Sequence, residues 1–236
     1  MTIGFPLYEG FDTLDVLGPL QAFTYADLSC VLASKDGCPV KSLEGVTVQV
    51  DTDFDGAEQW DILWVPGGAD LAPILKTGYL DFLRKQAAGA TWVCSVCTGA
   101  LFLGAAGLLD DCVATTHWAY KDVLRLFPAV KVVDDYRRYV QSGNRLTGGG
   151  ISSGIDEALY LISVVKGVGK ARRSQLAMQY HPQPIVQCGD PGEPDIKDNP
   201  SLPADIQSDW DVAKTYKDFQ AWIGQQSKSH GKRGKR

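Results

Sequence analysis

The stretch from residue 91 to residue 109 constrains the fold more than any other part of this chain. It begins TWVCSV, a run typical of a buried strand, and continues ALFLGAAGLL, in which apolar residues recur at helical spacing. Cys97 and Thr98 lie between these two runs. A thiol at a strand-to-helix turn lies near free backbone N–H groups and the positive end of the helix dipole, which both favour the thiolate. The stretch therefore predicts a nucleophilic Cys97, with a buried structural cysteine as the alternative.

Strands and helices are predicted to alternate along the rest of the chain. Runs rich in aliphatic and aromatic residues predict strands at 3–7, 28–33, 61–65, 130–133 and 139–141. Apolar residues at helical spacing predict helices at 10–23, 80–88, 155–165 and 169–180. Pro6 suggests a strand end or an edge strand, residues 40–50 suggest a hairpin, and the glycine-rich residues 146–154 are predicted to form a loop. This order predicts a three-layer α/β/α sandwich around a mostly parallel, flavodoxin-like sheet.

Four chemically distinctive segments are predicted to meet at one edge of this sheet. They are the turn after the first strand with Asp15, the PGG of 66–68, Cys97 with Thr98, and the glycines of 148–150. Active sites of parallel sheets lie beyond the carboxyl ends of the strands, where these segments fall. Asp15 sits among apolar residues, which predicts a partly buried carboxyl with a raised pKa, although a surface aspartate is the alternative.

Charge and composition exclude several classes of function. The formal net charge is -5. Because the last nine residues carry +5, the rest of the chain carries -10 and offers no footprint for nucleic acid. No apolar run is long enough to span a bilayer, and we do not expect the first residues, which lack a basic region and a cleavage site, to act as a signal peptide. We therefore expect a cytoplasmic protein, bound to neither nucleic acid nor membrane, whose six cysteines stay reduced.

The cysteines and histidines show no spacing typical of a metal site. Cys94 and Cys97 form a C-x-x-C pair, but Cys94 falls within the predicted strand and is expected to point into the core rather than form a redox pair. His117 is interpreted as structural, with an approach to the site as the alternative. We expect neither a metal nor an organic cofactor.

Five short motifs are spread over the first two thirds of the chain: DxxGP at 15–19, PGG at 66–68, SVCTGA at 95–100, ATTHW at 114–118 and GGGIxxGID at 148–156. Together they resemble the ThiJ/PfpI superfamily, a branch of the class I glutamine amidotransferase-like fold. Within it, the motifs are most similar to those of the isonitrile hydratases. The resemblance extends over about residues 2–184.

At two positions this chain differs from many other members of the superfamily, and both differences favour the isonitrile hydratases over protease-like members. Many members have glutamate where this chain has Asp15, and aspartate is what isonitrile hydratases carry. Protease-like members have histidine directly after the nucleophile, where this chain has Thr98. Amidase-like domains of transcription regulators share similar motifs, but the residues after 184 are too few and too proline-rich for the helix-turn-helix domain of those regulators.

The resemblance implies hydration of an isonitrile to an N-substituted formamide, by a homodimer and without a cofactor. Cys97 would attack the isonitrile carbon and Asp15 would supply a proton. Thr98 and backbone groups of the glycine-rich turns would orient substrate or water and stabilise developing charge; those turns contribute Gly67, Gly68, Gly149, Gly150 and Ile151. The alternatives are a non-catalytic or redox-sensing module and a glyoxalase- or deglycase-like hydrolase.

Three segments are expected along the chain. Residues 1–184 form the catalytic domain, and residues 185–227 a proline-rich wrapping segment with a terminal helix near 209–225. Residues 228–236 are expected to be a basic disordered tail, with an arm that binds nucleic acid or a membrane surface as the alternative.

Overall fold

The computed structural model describes residues 1–193, 196 and 201–233, with side chains up to 228. Its strands are β1 Thr2–Pro6, β2 Ser29–Ser34, β3 Val40–Lys41, β4 Thr47–Val48, β5 Thr52–Asp53, β6 Ile62–Val65, β7 Trp92–Ser95, β8 Val113–Ala114, β9 Lys131–Val132, β10 Tyr139–Ser142 and β11 Arg145–Gly148. Its α-helices are α1 Thr13–Tyr25, α2 Tyr79–Gly89, α3 Gly99–Ala105, α4 Lys121–Leu124, α5 Ser153–Val165, α6 Val168–Ala177, α7 Ser201–Asp209 and α8 Val212–Arg233.

A seven-stranded sheet forms the centre of the molecule, in the order β10-β11-β7-β6-β1-β2-β5. All neighbours in it are parallel except β10, which pairs antiparallel with β11. Helices α1, α5 and α6 pack on one another, as do α2 with α3 and α3 with α4. The predicted α/β sandwich around a mostly parallel sheet is therefore confirmed, and so is the hairpin, formed by β3 and β4.

The predicted glycine-rich loop at 146–154 is partly wrong, because its first residues belong to strand β11. Leu146 and Thr147 are fully buried, and β11 pairs in parallel with β7. Gly148 is the last residue of the strand, and it must be glycine because a Cβ there would lie 2.1 Å from a carboxyl oxygen of Glu157. This glycine therefore makes room for the Glu157 side chain and does not indicate a loop. Pro6 does end β1, but β1 lies between β6 and β2, so the edge alternative is also wrong.

The C-terminal residues form two helices where one was predicted. Trp210 and Asp211 separate α7 from α8, and α8 continues to Arg233 because its residues include no proline. Residues 228–233 of the predicted tail are therefore helical, whereas residues 194, 195, 197–200 and 234–236 lie outside the described residues. Phe219 of α8 is fully buried, with its ring 6.3 Å from that of Phe127, and attaches α8 to the body. Within the described residues, no helix is long and apolar enough to cross a membrane.

Candidate active site

Cys97 occupies the turn between β7 and α3, as the sequence predicts. Its φ is 56°, a left-handed conformation that a non-glycine residue adopts only when its surroundings enforce it. Two hydrogen bonds do so: its N–H donates to the Gly149 carbonyl at 2.8 Å, and its carbonyl accepts from the Thr116 hydroxyl at 2.8 Å. Gly99 permits the sharp turn, because a Cβ there would lie 2.2 Å from the Val65 carbonyl oxygen.

Asp15 lies in the first turn of α1 and is fully buried. One carboxyl oxygen, Oδ2, accepts a hydrogen bond from the Gly67 N–H at 2.7 Å. Burial raises the pKa of Asp15 well above its ordinary value, and the negative charge of Asp12 raises it further. The Gly67 N–H and a hydrogen bond with the Cys97 thiol act in the opposite direction. The net effect is a carboxyl that holds its proton beside the thiol.

The pKa of Cys97 is also raised, which differs from the thiolate expected from its place at a helix start. Burial is the main cause and the Asp15 carboxylate the next. Backbone N–H groups of Ile151 and Thr98 lower this pKa, but they do not compensate for the loss of solvent. Because two adjacent buried acids cannot both ionise cheaply, the pair retains a proton that either group can hold.

The N–H groups of Gly67 and Gly68, in the turn after β6, donate to Asp15 and to Thr98 and are therefore not free to bind a substrate. The Gly67 N–H is engaged by Asp15, and a Cβ at Gly67 would lie 2.6 Å from the Thr98 nitrogen. The Thr98 hydroxyl accepts from the Gly68 N–H at 2.9 Å and donates to the Gly68 carbonyl at 3.0 Å. Within this structure, Gly67 and Thr98 therefore position Asp15 and the turn.

The segment after β11 supplies one wall of the site through Ile151. This residue has a φ of 27°, strained for a β-branched residue, and its N–H is directed at the Cys97 sulfur. Gly149 holds Cys97 in place through its carbonyl, and Gly150 lies against His117, where a Cβ would be 2.4 Å from the ring. Gly149 and Gly150 line a neighbouring cavity of about 490 Å³, so of these three residues Ile151 alone borders the cavity that reaches Cys97.

A cavity of about 530 Å³ opens onto the nucleophile. Its walls come from distant parts of the chain and include Gly68, Cys97, Thr98, His117, Ile151 and Trp210. His117 is buried with a pKa lowered to about 4, so its ring is neutral, and its Nδ1 accepts from the Ala119 N–H at 3.2 Å. The histidine is thus structural and also borders the site. The sequence did not predict Trp210 as a site residue, because it lies more than 100 positions from Cys97 and no local pattern connects the two.

Cys94 and Glu157 are buried beside this site but do not line its cavity. Cys94 lies in β7 with a pKa raised by burial, which agrees with the core position predicted for it. Both carboxyl oxygens of Glu157 lack a hydrogen-bond partner among the described residues, and burial raises its pKa well above the ordinary value, with the charge of Asp15 as a second cause. In the part of the chain that the structure describes, no three histidine, cysteine or acidic residues are grouped to hold a metal.

Comparisons with known proteins identify the family and agree with the fold. The model of the DJ-1/PfpI family matches residues 1–163. A protein named isonitrile hydratase from Pseudomonas putida is 44% identical over 193 residues, which span 81% of this chain and 83% of that protein. The HTH-type transcriptional regulator CdhR of Pseudomonas aeruginosa is 30% identical over 77% of this chain, which spans only 54% of the regulator. A crystal structure of a ThiJ/PfpI family protein from Pseudomonas syringae superposes with a TM-score of 0.82 at 27% identity, over 93% of this chain and 89% of that one. The chain belongs to the DJ-1/PfpI family.

Proposed function

We propose that this protein is an isonitrile hydratase, which adds water to R–N≡C and releases an N-substituted formamide. The observation that supports this best is the buried pair of Asp15 and Cys97, which holds a proton where the cavity reaches the Cys97 thiol. An isonitrile carbon needs both a nucleophile and a proton, and this pair supplies both. The 44% identity to the Pseudomonas putida enzyme supports the same reaction.

The first half of the reaction forms a covalent thioimidate. The Cys97 sulfur bonds to the terminal carbon while that carbon gains the proton held by the pair, giving R–N=CH–S attached to Cys97. Asp15 remains as a carboxylate. The Ile151 and Thr98 N–H groups, which face the sulfur, stabilise the thiolate as it attacks.

The second half releases the product. Asp15, now ionised, accepts a proton from water as the water oxygen bonds to the thioimidate carbon, and then passes that proton to the nitrogen. The tetrahedral adduct expels the sulfur as its hydroxyl gives up a proton, which leaves R–NH–CHO and returns one proton to the Asp15–Cys97 pair. Reactants and products balance as the addition of one water, without an oxidant or reductant.

A redox-sensing role is the alternative from another class, and the identity to a transcription regulator keeps it open. Thiols that are ionised and exposed are the ones most readily oxidised. Cys97 is only 6% exposed and its pKa is raised, which favours the hydratase.

Turnover of an alkyl isonitrile tests the proposal. Wild type is expected to produce the formamide and, under rapid quench, an adduct on Cys97 visible by intact mass. Cys97→Ala should lose turnover by more than about a thousandfold, because no other group forms the carbon–sulfur bond. Cys94→Ala is the matched control, since Cys94 lies three residues away in the core, and should retain most activity. Absence of formamide in wild type, or turnover of methylglyoxal instead, would overturn the proposal.

A homodimer and a cytoplasmic location belong to the same proposal and rest on the family resemblance and on the composition. Light scattering of the purified chain tests the first, and cell fractionation tests the second.

A further inference from the structure

The wall of the active-site cavity opposite Cys97 is built by the α7–α8 turn. We use this name for residues 209–211, Asp209, Trp210 and Asp211. All three line the cavity, together with Lys214 and Thr215 from the first turn of α8. These residues lie outside the 1–163 that the family model matches. The chemistry and this wall therefore come from different parts of the chain.

Contacts from the body hold this turn in place. The Trp210 ring packs edge-on against His117, with centroids 4.9 Å apart at 67°. The Tyr120 hydroxyl donates to the Trp210 carbonyl at 3.5 Å, and the Lys214 ammonium lies 3.6 Å from the Asp70 carboxylate, beyond the turn after β6. An Asp211 carboxyl oxygen caps α8 by accepting from the Lys214 N–H at 3.2 Å.

The lining combines an aromatic surface with an excess of negative charge. Trp210, Tyr120 and the neutral His117 present rings to the cavity. The exposed charged residues on its lining are three carboxylates and one ammonium, contributed by Asp70, Asp209, Asp211 and Lys214. Aromatic rings favour contact with apolar groups, and carboxylates that line a cavity repel an anion that enters it.

We propose that the α7–α8 turn determines substrate specificity: the Trp210 ring contacts the substituent R, and the carboxylates of Asp209 and Asp211 exclude isonitriles with an anionic R. This inference rests on the proposed hydratase function and adds the class of substrate, an isonitrile with an uncharged apolar substituent. Trp210 and the carboxylates act on R and not on the reacting carbon.

Steady-state kinetics with three probes test the role of each part. For cyclohexyl isonitrile, Trp210→Ala should lower kcat/KM about ten- to a hundredfold, mainly through KM, because the ring contacts R in both ground and transition states. Trp210→Phe keeps an aromatic face and should stay within about threefold. Ethyl isocyanoacetate and isocyanoacetate differ by one negative charge, and wild type should prefer the ester by at least about tenfold.

The double variant Asp209→Asn with Asp211→Asn should reduce this preference for the ester several-fold. Asparagine at 211 still caps a helix, so α8 is kept. Asp205→Asn is the matched control, because it removes an exposed carboxylate of α7 that does not line the cavity, and it should leave the preference unchanged. Equal preference in wild type and the double variant, or unchanged KM in Trp210→Ala, would overturn the inference.

A second measurement separates this inference from the hydratase proposal. Iodoacetamide is neutral and iodoacetate anionic, and peptide mass spectrometry reports their rates at each cysteine. The ratio of neutral to anionic labelling should be about tenfold higher at Cys97 than at the exposed Cys38, and should fall in the double variant. A selective cavity without formamide formation refutes the hydratase alone; equal ratios at both cysteines refute the charge selection whatever the reaction is.

Discussion

The two walls of the cavity differ in almost every physical property. The inner wall, around Asp15 and Cys97, is buried; Asp15 Oδ2 accepts from the Gly67 N–H, and the Thr98 hydroxyl accepts from the Gly68 N–H. The outer wall, the α7–α8 turn, is exposed: Trp210 retains 42% of its accessible surface, and its charges reach solvent. Burial is what shifts proton affinities, so acid–base and nucleophilic chemistry belong to the inner wall. Because the outer wall is exposed, substitutions of its side chains should change the free energy of unfolding little.

This division predicts two kinds of variant. Changes in the inner wall should reduce turnover of every isonitrile alike, since they affect the reacting carbon. Changes in the outer wall should alter the ranking of substrates.

Asp15→Asn is expected to have the largest effect, about a thousandfold loss of kcat for all isonitriles, because the amide cannot deliver a proton. In wild type, the rate should fall as pH rises through the raised pKa of Asp15, since the acid is then lost; this alkaline limb should be absent from the residual activity of the variant. A pH–rate profile of both proteins gives the result.

Asp12→Asn is the matched control for this change. Asp12 lies three residues earlier, caps α1 by accepting from the Leu14 N–H at 3.0 Å, and lines the cavity. Asparagine also caps helices, so stability should be kept and the rate should stay within about tenfold. Comparable losses in Asp12→Asn and Asp15→Asn would mean that general negative charge, not a specific acid, supports turnover.

Thr98→Val should have an intermediate effect. It leaves the Gly68 N–H and carbonyl without the hydroxyl that binds both, which should lower the free energy of unfolding by about 1–3 kcal/mol. Because the same turn holds Asp15 through Gly67, kcat should fall about ten- to a hundredfold with little change in KM. Thr98→Ser retains the hydroxyl and should recover most of both. If Thr98→Val loses stability alone, Thr98 supports the fold and does not position the acid.

The sequence predicted the inner wall well because its signals are local. A strand-to-helix turn at Cys97, an acid after the first strand and the PGG turn can each be read within a few residues. Their alternation with helices also predicted the sheet. Strand β11 was missed because glycines usually indicate a loop, whereas Gly148 serves the packing of Glu157.

The hydrogen-bond partners and the outer wall could not be predicted in this way. Whether the Gly67 N–H faces substrate or Asp15 depends on how α1 packs beside β6, which no short pattern encodes. The elevated pKa of Cys97 depends on burial by the whole fold and outweighs the local helix dipole. Trp210 reaches the cavity through contacts with His117 and Tyr120, and α8, which follows it, docks through Phe219, so its place depends on the tertiary fold.

Glu157→Gln tests whether burial of an acid is enough to give it a chemical role. The folded-state pKa of Glu157 is raised above its ordinary value of 4.5, so its contribution to stability is full below that pH and is lost as pH rises toward the folded-state pKa. Relative to wild type, the variant should therefore gain up to about 1.4 kcal/mol in free energy of unfolding per pH unit above 4.5, until that pKa is reached.

Urea unfolding at several pH values measures this difference, and Glu58→Gln, at an exposed glutamate, is the matched control. Turnover of Glu157→Gln should stay within a few-fold of wild type, because Glu157, unlike Asp15, is not among the groups whose charge acts on the Cys97 thiol. A loss as deep as that of Asp15→Asn would add Glu157 to the inner wall as a proton donor.

Removal of residues 228–236 should have the smallest effect, because the described residues that form the two walls all precede this segment. Phe219, Trp222 and Ile223, which pack on the core, precede the cut, as do the cavity residues Lys214 and Thr215. The truncated helix keeps sixteen of its 22 residues, from Val212 to Ser227, and its docking face is intact, so packing rather than length should maintain it. We expect unchanged kcat/KM for cyclohexyl isonitrile, an unchanged preference for the ester over isocyanoacetate, and a change in Tm of no more than about 2 °C. A lost preference with normal kcat would show that the positive charge of residues 228–236 acts on the outer wall. A loss of kcat together with a change in light scattering would instead place this segment at an interface between subunits.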